Sequence, residues 1–551
     1  MSTSYWIFGA AALAVVFVFT GCTTVGKPMR IKPGPGVPAA VSWYIESKPT
    51  NGASPVSCSF VEFDGRGDYI DFEQHTDAWV KVKELADKQK LLLVFYCHGW
   101  KNNSQSGDVA EFNEFLSRLS ASPAVGPFGY RVHGIFLSWR GNLYHPYVDK
   151  KAEDGAYLRT AKQFGEPILN PDHHRAFYWT SWLQEQLSYW SRRNAAEHKV
   201  SSVPIARTIY TCASLTKSID KLKGRDKEGL TEASRVMVMG HSFGALLLER
   251  ALNATCLDPL TDQWTWFERH SDRDKERIQM GEMALEDKAE LKFDANPLPM
   301  DFVLLVNSAA PAIYSKAMRD FLTAHRSALR RAKSPYADTP VFISVTSSAD
   351  SATGRLHPIA NIFAPLYPSL RHSYTNLLKV PVVEERRIRQ SVFYNRTAGH
   401  QPLLVDHWIV EDGKVEDGTA TRQDIINHNL NYRTANPLEF LATPANRPKE
   451  IKRWKFSLQP ADDDKAERKW AKQFGPLEPN RSSYWFVRCN KRLIRNHNDV
   501  WSDTAMQLYA ALYRLVEWTR IPDNRDQVKP LFDKYWSNSP PSPPIRDRRP
   551  G

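Results

Sequence analysis

Arg235-Val236-Met237-Val238-Met239-Gly240-His241-Ser242-Phe243-Gly244-Ala245-Leu246-Leu247-Leu248 is the stretch on which the reading of this chain turns. A short apolar run ends in Gly-His-Ser-Phe-Gly, and an apolar, helix-compatible run follows at once. The order predicted is strand, tight turn, helix, with a serine at the apex. Gly240 and Gly244 carry no Cβ, so a strand and a helix can approach closely around a strained backbone position. The Ser242 hydroxyl is then presented above the sheet, where a base can reach it.

Similar apolar runs lie on either side. Leu91 to Cys97 reads as a strand buried on both faces and ends in His98-Gly99-Trp100. Val132 to Leu137 ends in Ser138-Trp139-Arg140-Gly141, and Asp301 to Val306, Val341 to Thr346 and Tyr484 to Arg488 complete the set. Helical spacing separates them over Asp108–Leu119, Ile205–Leu222, Ala245–Ala254, Lys316–Arg331 and Ala505–Thr519. The first strands are expected within Ser42 to Phe72, as Ser59–Phe63 and Asp68–Phe72 around an Asp64-Gly65-Arg66-Gly67 turn. Thr76 to Lys88 then reads as a helix burying Trp79, Val82 and Leu85. Short buried strands alternating with helices predict an α/β fold with a mostly parallel, doubly wound sheet. Two stretches break the alternation and read as long insertions, residues 142–204 and 354–479. The first is aromatic-rich (Phe177, Tyr178, Trp179, Trp182, Tyr189, Trp190) and is either a candidate lid or packing under a long loop.

Together, the Gly240–Gly244 elbow, His98-Gly99-Trp100, Ser138-Trp139-Arg140-Gly141 and the late His497-Asn498-Asp499 resemble the α/β-hydrolase superfamily. The similarity is greatest to its bacterial serine hydrolases carrying His-Gly-Trp and Ser-Trp-Arg-Gly strings, and covers roughly residues 58 to 518 minus the insertions. The resemblance implies a nucleophile, then an acid, then a histidine along the chain. It also implies an oxyanion site built from the N–H of Phe243 and one from the loop after His98-Gly99, most simply Trp100. His98, Gly99, Gly240 and Gly244 are then structural residues near the site.

The chemistry asks for the same partners. A serine hydroxyl is a poor nucleophile at neutral pH and needs a base within hydrogen-bond reach. Histidine serves when an acid fixes its tautomer and steadies the imidazolium. Asp350 is the candidate acid, because it follows the Val341–Thr346 run across a short connection, at the carboxyl edge where such sheets hold their sites. A loop or capping role is the alternative; Asp406 is a rival, and Asp338 precedes the run. His497, before the terminal helix, is the candidate base, with His400 and His407 as rivals. No metal-ligand spacing and no dinucleotide fingerprint stands out, so no cofactor is expected.

The chain's 551 residues carry a net charge of +12. Much of the excess lies between Asn446 and Arg495, with 14 Lys/Arg against 6 Asp/Glu. Such a run is a solvated face or a surface for anionic lipid or an acidic substrate; no zinc-finger, helix-turn-helix or RNA-recognition pattern accompanies it, so nucleic acid is not expected. Cysteines 22, 58, 97, 212, 256 and 489 are too dispersed for a metal clip.

Tyr5 to Gly21 holds no charge and leads into Cys22. Phe19-Thr20-Gly21-Cys22 resembles a bacterial lipoprotein signal, with Cys22 the lipidated residue. Met1–Ser4 lacks the usual positive charge, so a short uncleaved anchor facing the body inward is the competing reading. The expected organisation is 1–22 signal or anchor, 23–41 linker, 42–536 hydrolase domain and 537–551 unpacked proline-rich tail. The expected location is the bacterial cell envelope, membrane-anchored on the periplasmic or extracytoplasmic face. The expected activity is cleavage of a carboxylic ester, lipids included; amides, thioesters and acyl transfer use the same machinery. A non-catalytic envelope scaffold retaining the fold is the alternative from a different class.

Overall fold

The computed structural model describes residues 28–47, 55–141, 189–253, 299–324, 339–358, 393–411, 417–418, 439–442, 451–460 and 482–520, apart from 101, 105, 123–124, 202, 227–232 and 394. The strands are β1 Tyr44–Ser47, β2 Val56–Phe63, β3 Leu91–Cys97, β4 Arg131–Trp139, β5 Arg235–His241, β6 Phe302–Val306, β7 Phe342–Ser347, β8 His407–Glu411, β9 Asp417–Gly418, β10 Glu439–Ala442, β11 Ile451–Pro460 and β12 Tyr484–Cys489. Their order in the sheet is β1-β2-β4-β3-β5-β6-β7-β12-β8-β11-β10, with β9 beside β11. From β2 across to β8 every neighbouring pair is parallel, and β1 and β11 join the two flanks antiparallel. The protein is therefore α/β with a mostly parallel sheet.

The longer helices are α1 Phe72–Lys88, α2 Gly107–Ala121, α3 Val203–Lys223, α4 residues 243–253, α5 Ala312–Ala324 and α6 Asp503–Thr519. Helices α1, α3, α4 and α5 cover one face, packing on Leu91, Leu93, Phe95, Val236 and Val238. Helices α2 and α6 cover the other, packing on Leu92, Val94, Tyr96, Met237 and Met239. Successive strand side chains point to opposite faces, so a strand covered on both sides must be apolar throughout. That is why the strand runs read as unbroken apolar stretches.

Neighbours β3 and β5 send their following helices, α2 and α4, to opposite faces. Where connections part in this way, a crevice opens at the carboxyl edge of the sheet. The register pairs Cys97 with Gly240, which sets His98-Gly99 level with His241-Ser242.

Three elements differ from expectation. Asp68–Phe72 is not a strand: a single bridge joins Tyr69 to Phe63, and the Asp71 carboxylate caps α1 by accepting from Glu73 N at 2.9 Å. The buried face of α1 runs through Ala78, Val82 and Ala86, which lets the helix lie close on the sheet, while bulky Trp79 stays exposed. The 354–479 stretch does not merely project from the sheet, since it supplies β8, β9, β10 and β11 at its far flank. Cys22, Asp338, the aromatics 177–182, the 537–551 tail and about half of the basic 446–495 run lie outside the described residues.

The run entering the domain is tied down at Met29 and Arg30. Their N–H groups donate to the buried Glu62 carboxylate at 2.9 and 3.1 Å. Arg30 Nε donates to Ser104 O at 2.7 Å, and its guanidinium lies 3.9 Å over the Phe60 ring. At the amino edge, buried Asp301 accepts from Lys217 Nζ at 2.5 Å, Arg520 Nη1 at 2.8 Å and Val236 N at 2.8 Å. Among the described residues no helix is long and apolar enough to cross a membrane, and the cysteines at 58, 97, 212 and 489 are unbridged and buried.

Candidate active site

Ser242 follows the last residue of β5 and adopts φ 56°, a left-handed conformation that non-glycine residues seldom take. The turn is held from both sides: Ser242 N donates to Val306 O at 3.1 Å, and its carbonyl accepts from Ala309 N at 3.2 Å and Leu246 N at 3.1 Å. Glycine is required around it by contact. A Cβ on Gly240 would stand 2.8 Å from Ala245 Cα, and one on Gly244 would stand 2.2 Å from Cys97 O.

His497 lies on the loop between β12 and α6, with Nε2 2.7 Å from Ser242 Oγ. Its Nδ1 lies 3.0 Å from each oxygen of Asp350, which follows β7 after a two-residue connection. The 147-residue separation between acid and histidine is closed because β7 and β12 are parallel neighbours, so their trailing loops meet at one edge. An ionised Asp350 accepts the Nδ1–H, which leaves the Nε2 lone pair facing the serine hydroxyl.

Asp350 also caps the turn after it, accepting from Ala352 N at 3.0 Å, Thr353 N at 3.1 Å and the Thr353 hydroxyl. Burial pushes its carboxyl up, but the hydrogen bonds from His497 and Thr353 outweigh it and hold the group below the usual carboxylate range. The two readings of Asp350, capping residue and partner of the histidine, both describe it.

Three residues with no signal beyond their position at strand ends hold the histidine loop. His241 Nε2 donates to His497 O at 2.8 Å, and Asn307 Nδ2 donates to the same carbonyl at 3.2 Å. Asn307 Oδ1 accepts from Ser347 N at 2.9 Å, and Ser347 Oγ donates to Ile494 O at 2.6 Å. The ends of β5, β6 and β7 thus clamp one loop. Burial, followed by the neighbouring His497, pushes His241 down to about 3, so it is neutral and donates as an imidazole. Asn307 itself sits at φ 46°, which asparagine tolerates better than most residues.

His98 is buried just past the end of β3. Its Nε2 accepts from Trp139 N at 3.2 Å, so Nδ1 carries the proton and donates to Gly99 O at 2.9 Å. The Trp139 indole returns a bond to His98 O at 2.9 Å. Burial brings His98 down to about 4, in keeping with a fixed neutral ring. A Cβ on Gly141 would stand 2.9 Å from Gly99 O, so the His-Gly-Trp and Ser-Trp-Arg-Gly strings form one packed unit. Gly99 leans on the serine, a Cβ there falling 3.1 Å from Ser242 Cβ. Trp100 follows it, its ring 6.1 Å from Phe243 and 5.4 Å from Tyr189. These three rings make an apolar wall beside Ser242, and Tyr189 brings the end of the first insertion to the site. Phe243 is the first residue of α4, where backbone N–H groups have no acceptor within the helix.

The rivals lie elsewhere. Asp406 accepts from Phe486 N at 2.8 Å, and His407 pairs with Val487 on β12, away from Ser242. His400 packs against Gly354 beside the acid's turn and is brought down to about 4 by burial, but the bonds to Asp350 come from His497, Ala352 and Thr353. Among the described residues no His, Cys, Asp and Glu side chains gather as a metal-ligand set. No family model matches this chain, and neither a curated protein nor a solved structure matches it.

Proposed function

We propose that this chain is a membrane-tethered serine hydrolase of the α/β-hydrolase fold that cleaves a carboxylic ester through an acyl-enzyme. The observation carrying the reading is the Asp350–His497–Ser242 relay at 3.0 and 2.7 Å. His497 Nε2 takes the serine proton as Oγ attacks the ester carbonyl. The oxyanion is met by the N–H groups of Phe243 and Trp100. The imidazolium then protonates the departing alcohol, leaving an acyl group on Ser242. Water deprotonated by His497 attacks that acyl group, and the acid departs as Oγ regains its proton. Removing one oxyanion donor raises such a barrier by about 3 kcal/mol. The Cys22 tether places the protein at the cell envelope in this reading, with an apolar acyl chain favoured by the Trp100–Tyr189–Phe243 wall.

The test is a fluorophosphonate probe together with ester turnover. Wild-type protein is expected to label, and Ser242→Ala to lose both labelling and turnover, the latter by about 10⁴-fold or more. Folded wild-type protein that neither labels nor turns over esters would instead support an envelope scaffold.

A further inference from the structure

We infer that the protein meets the bilayer with the carboxyl edge of its sheet, Phe72 and Val203 facing the lipid, and draws its acyl substrate from that membrane. The inference rests on the tether and hydrolase readings above. Helix α1 starts beside the carboxyl end of β2 and runs back to the start of β3. Helix α3 runs the same way, and Arg225 just beyond it donates to Ala86 O near the end of α1. Phe72 and Val203 therefore stand at the edge that carries Ser242, and Leu222 at the opposite one. Phe72 is 52% exposed, Val203 74% and Leu222 86%. The first two belong to one patch: the Tyr69 ring lies 5.3 Å from Phe72, and its hydroxyl donates to Pro204 O at 2.8 Å. Exposed charges nearby nearly cancel: Arg66 and Arg207 exceed Asp68 by a single charge, and Lys32 is paired to Glu73 at 3.2 Å. Shallow apolar insertion, not charge, is the contact this patch offers.

The tether emerges at the same edge. Glu62, which binds Met29 and Arg30, is the penultimate residue of β2 and accepts from Ser104 Oγ at 2.5 Å. Ser104 lies five residues beyond Gly99, on the loop that leans on Ser242. Met29 lies seven residues after Cys22, a reach of at most about 25 Å. A domain of this size is roughly twice that across, so the carboxyl edge stays near the bilayer whatever the domain's tilt. Two apolar side chains bind a membrane weakly by themselves. Held there by the tether, they act at high effective concentration and set orientation rather than affinity.

The test uses full-length protein in phosphatidylethanolamine–phosphatidylglycerol vesicles, with Cys256→Ser as background. The cysteines at 58, 97, 212 and 489 are buried, so an environment-sensitive dye reports Phe72→Cys, Val203→Cys and Leu222→Cys selectively. Nitroxide-labelled lipid is expected to quench at least half the signal at 72 and 203 and none at 222. Equal quenching at all three positions, or none at 72 and 203, overturns the orientation. The Phe72→Ser/Val203→Ser double variant is expected to lose about tenfold in turnover of a long-chain ester embedded in the vesicle. Its turnover of a soluble short-chain ester should stay within twofold; equal loss on both esters, or on neither, overturns the substrate source. Failure of wild-type protein on both esters removes the hydrolase reading, and with it the substrate source, while the quenching still decides orientation. Recovery of unlipidated wild type outside the membrane fraction overturns the tether and this orientation together.

Discussion

Ser242 and Asn307 are the non-glycine residues with positive φ among those described, at 56° and 46°. Strained backbone survives only where the surroundings over-determine it. Here the two are linked, since Ser242 N donates to Val306 O and the Asn307 side chain reaches the His497 carbonyl. Asn307→Gly keeps the backbone conformation and removes the amide. It should lower kcat about 10–100-fold, from hydrogen bonds worth about 1 kcal/mol each, with KM nearly unchanged. Steady-state kinetics on a soluble ester check this; a fall in melting temperature with kcat intact would make Asn307 merely structural. Asp350→Asn cannot fix the histidine tautomer in the same way, and a loss on the order of 10⁴ in kcat is expected.

At the scale of elements, α4 is bound to its neighbours through Glu249. This buried carboxyl accepts from Tyr484 OH on β12 at 3.0 Å and from the Ser315 hydroxyl on α5. Burial raises it to about 7 despite those bonds. A raised carboxyl favours the protonated native state, so its contribution is full below the unfolded value of about 4.3 and is lost as pH rises through about 7. At pH 8 the native state bears a cost of about 4 kcal/mol from ionising this group. Glu249→Gln should therefore gain stability relative to wild type between pH 5 and pH 8. Thermal melts across that range measure it, and a difference independent of pH would refute the argument.

Across the whole molecule, the two edges of the sheet have different tasks. The carboxyl edge carries loops, and the amino edge is locked by Asp301 with Lys217 and Arg520, beside the Arg235–Glu517 pair at 2.6 Å. Burial pushes the Asp301 carboxyl up, but Lys217, Arg520 and Arg235 outweigh it and hold it far below the usual range. A lowered carboxyl stabilises the fold above its unfolded value near 3.9, and that contribution is lost as pH falls through the lower native value. Asp301→Asn leaves buried cations underpaired and should cost about 3–5 kcal/mol at pH 7, read by urea unfolding. The difference from wild type should shrink below about pH 4.

The apolar runs and the elbow glycines were legible along the chain because burial on two faces and a strained turn each demand particular residues at fixed spacing. His98, Ser242, Asp350 and His497 could be picked out for the same reason, each lying just past a run that had to be a strand or just before a helix. The flank formed by β8 to β11 was not legible: β8, β9 and β10 are only two to five residues long, and β11, although Trp454, Phe456 and Leu458 alternate with polar residues, lies far along the chain from β8, through which it joins the sheet. Nor were the clamp of His241, Asn307 and Ser347 or the Asp301 cluster. Hydrogen bonds between residues 40 to 256 positions apart depend on which strand ends become neighbours. That is settled by strand order in the sheet, which local sequence does not specify. Burial and turn chemistry along the chain picked out the central strands, the elbow and the helices beside them; that the ends of β5, β6, β7 and β12 share one edge follows from their parallel pairing, which alone brings their trailing loops together.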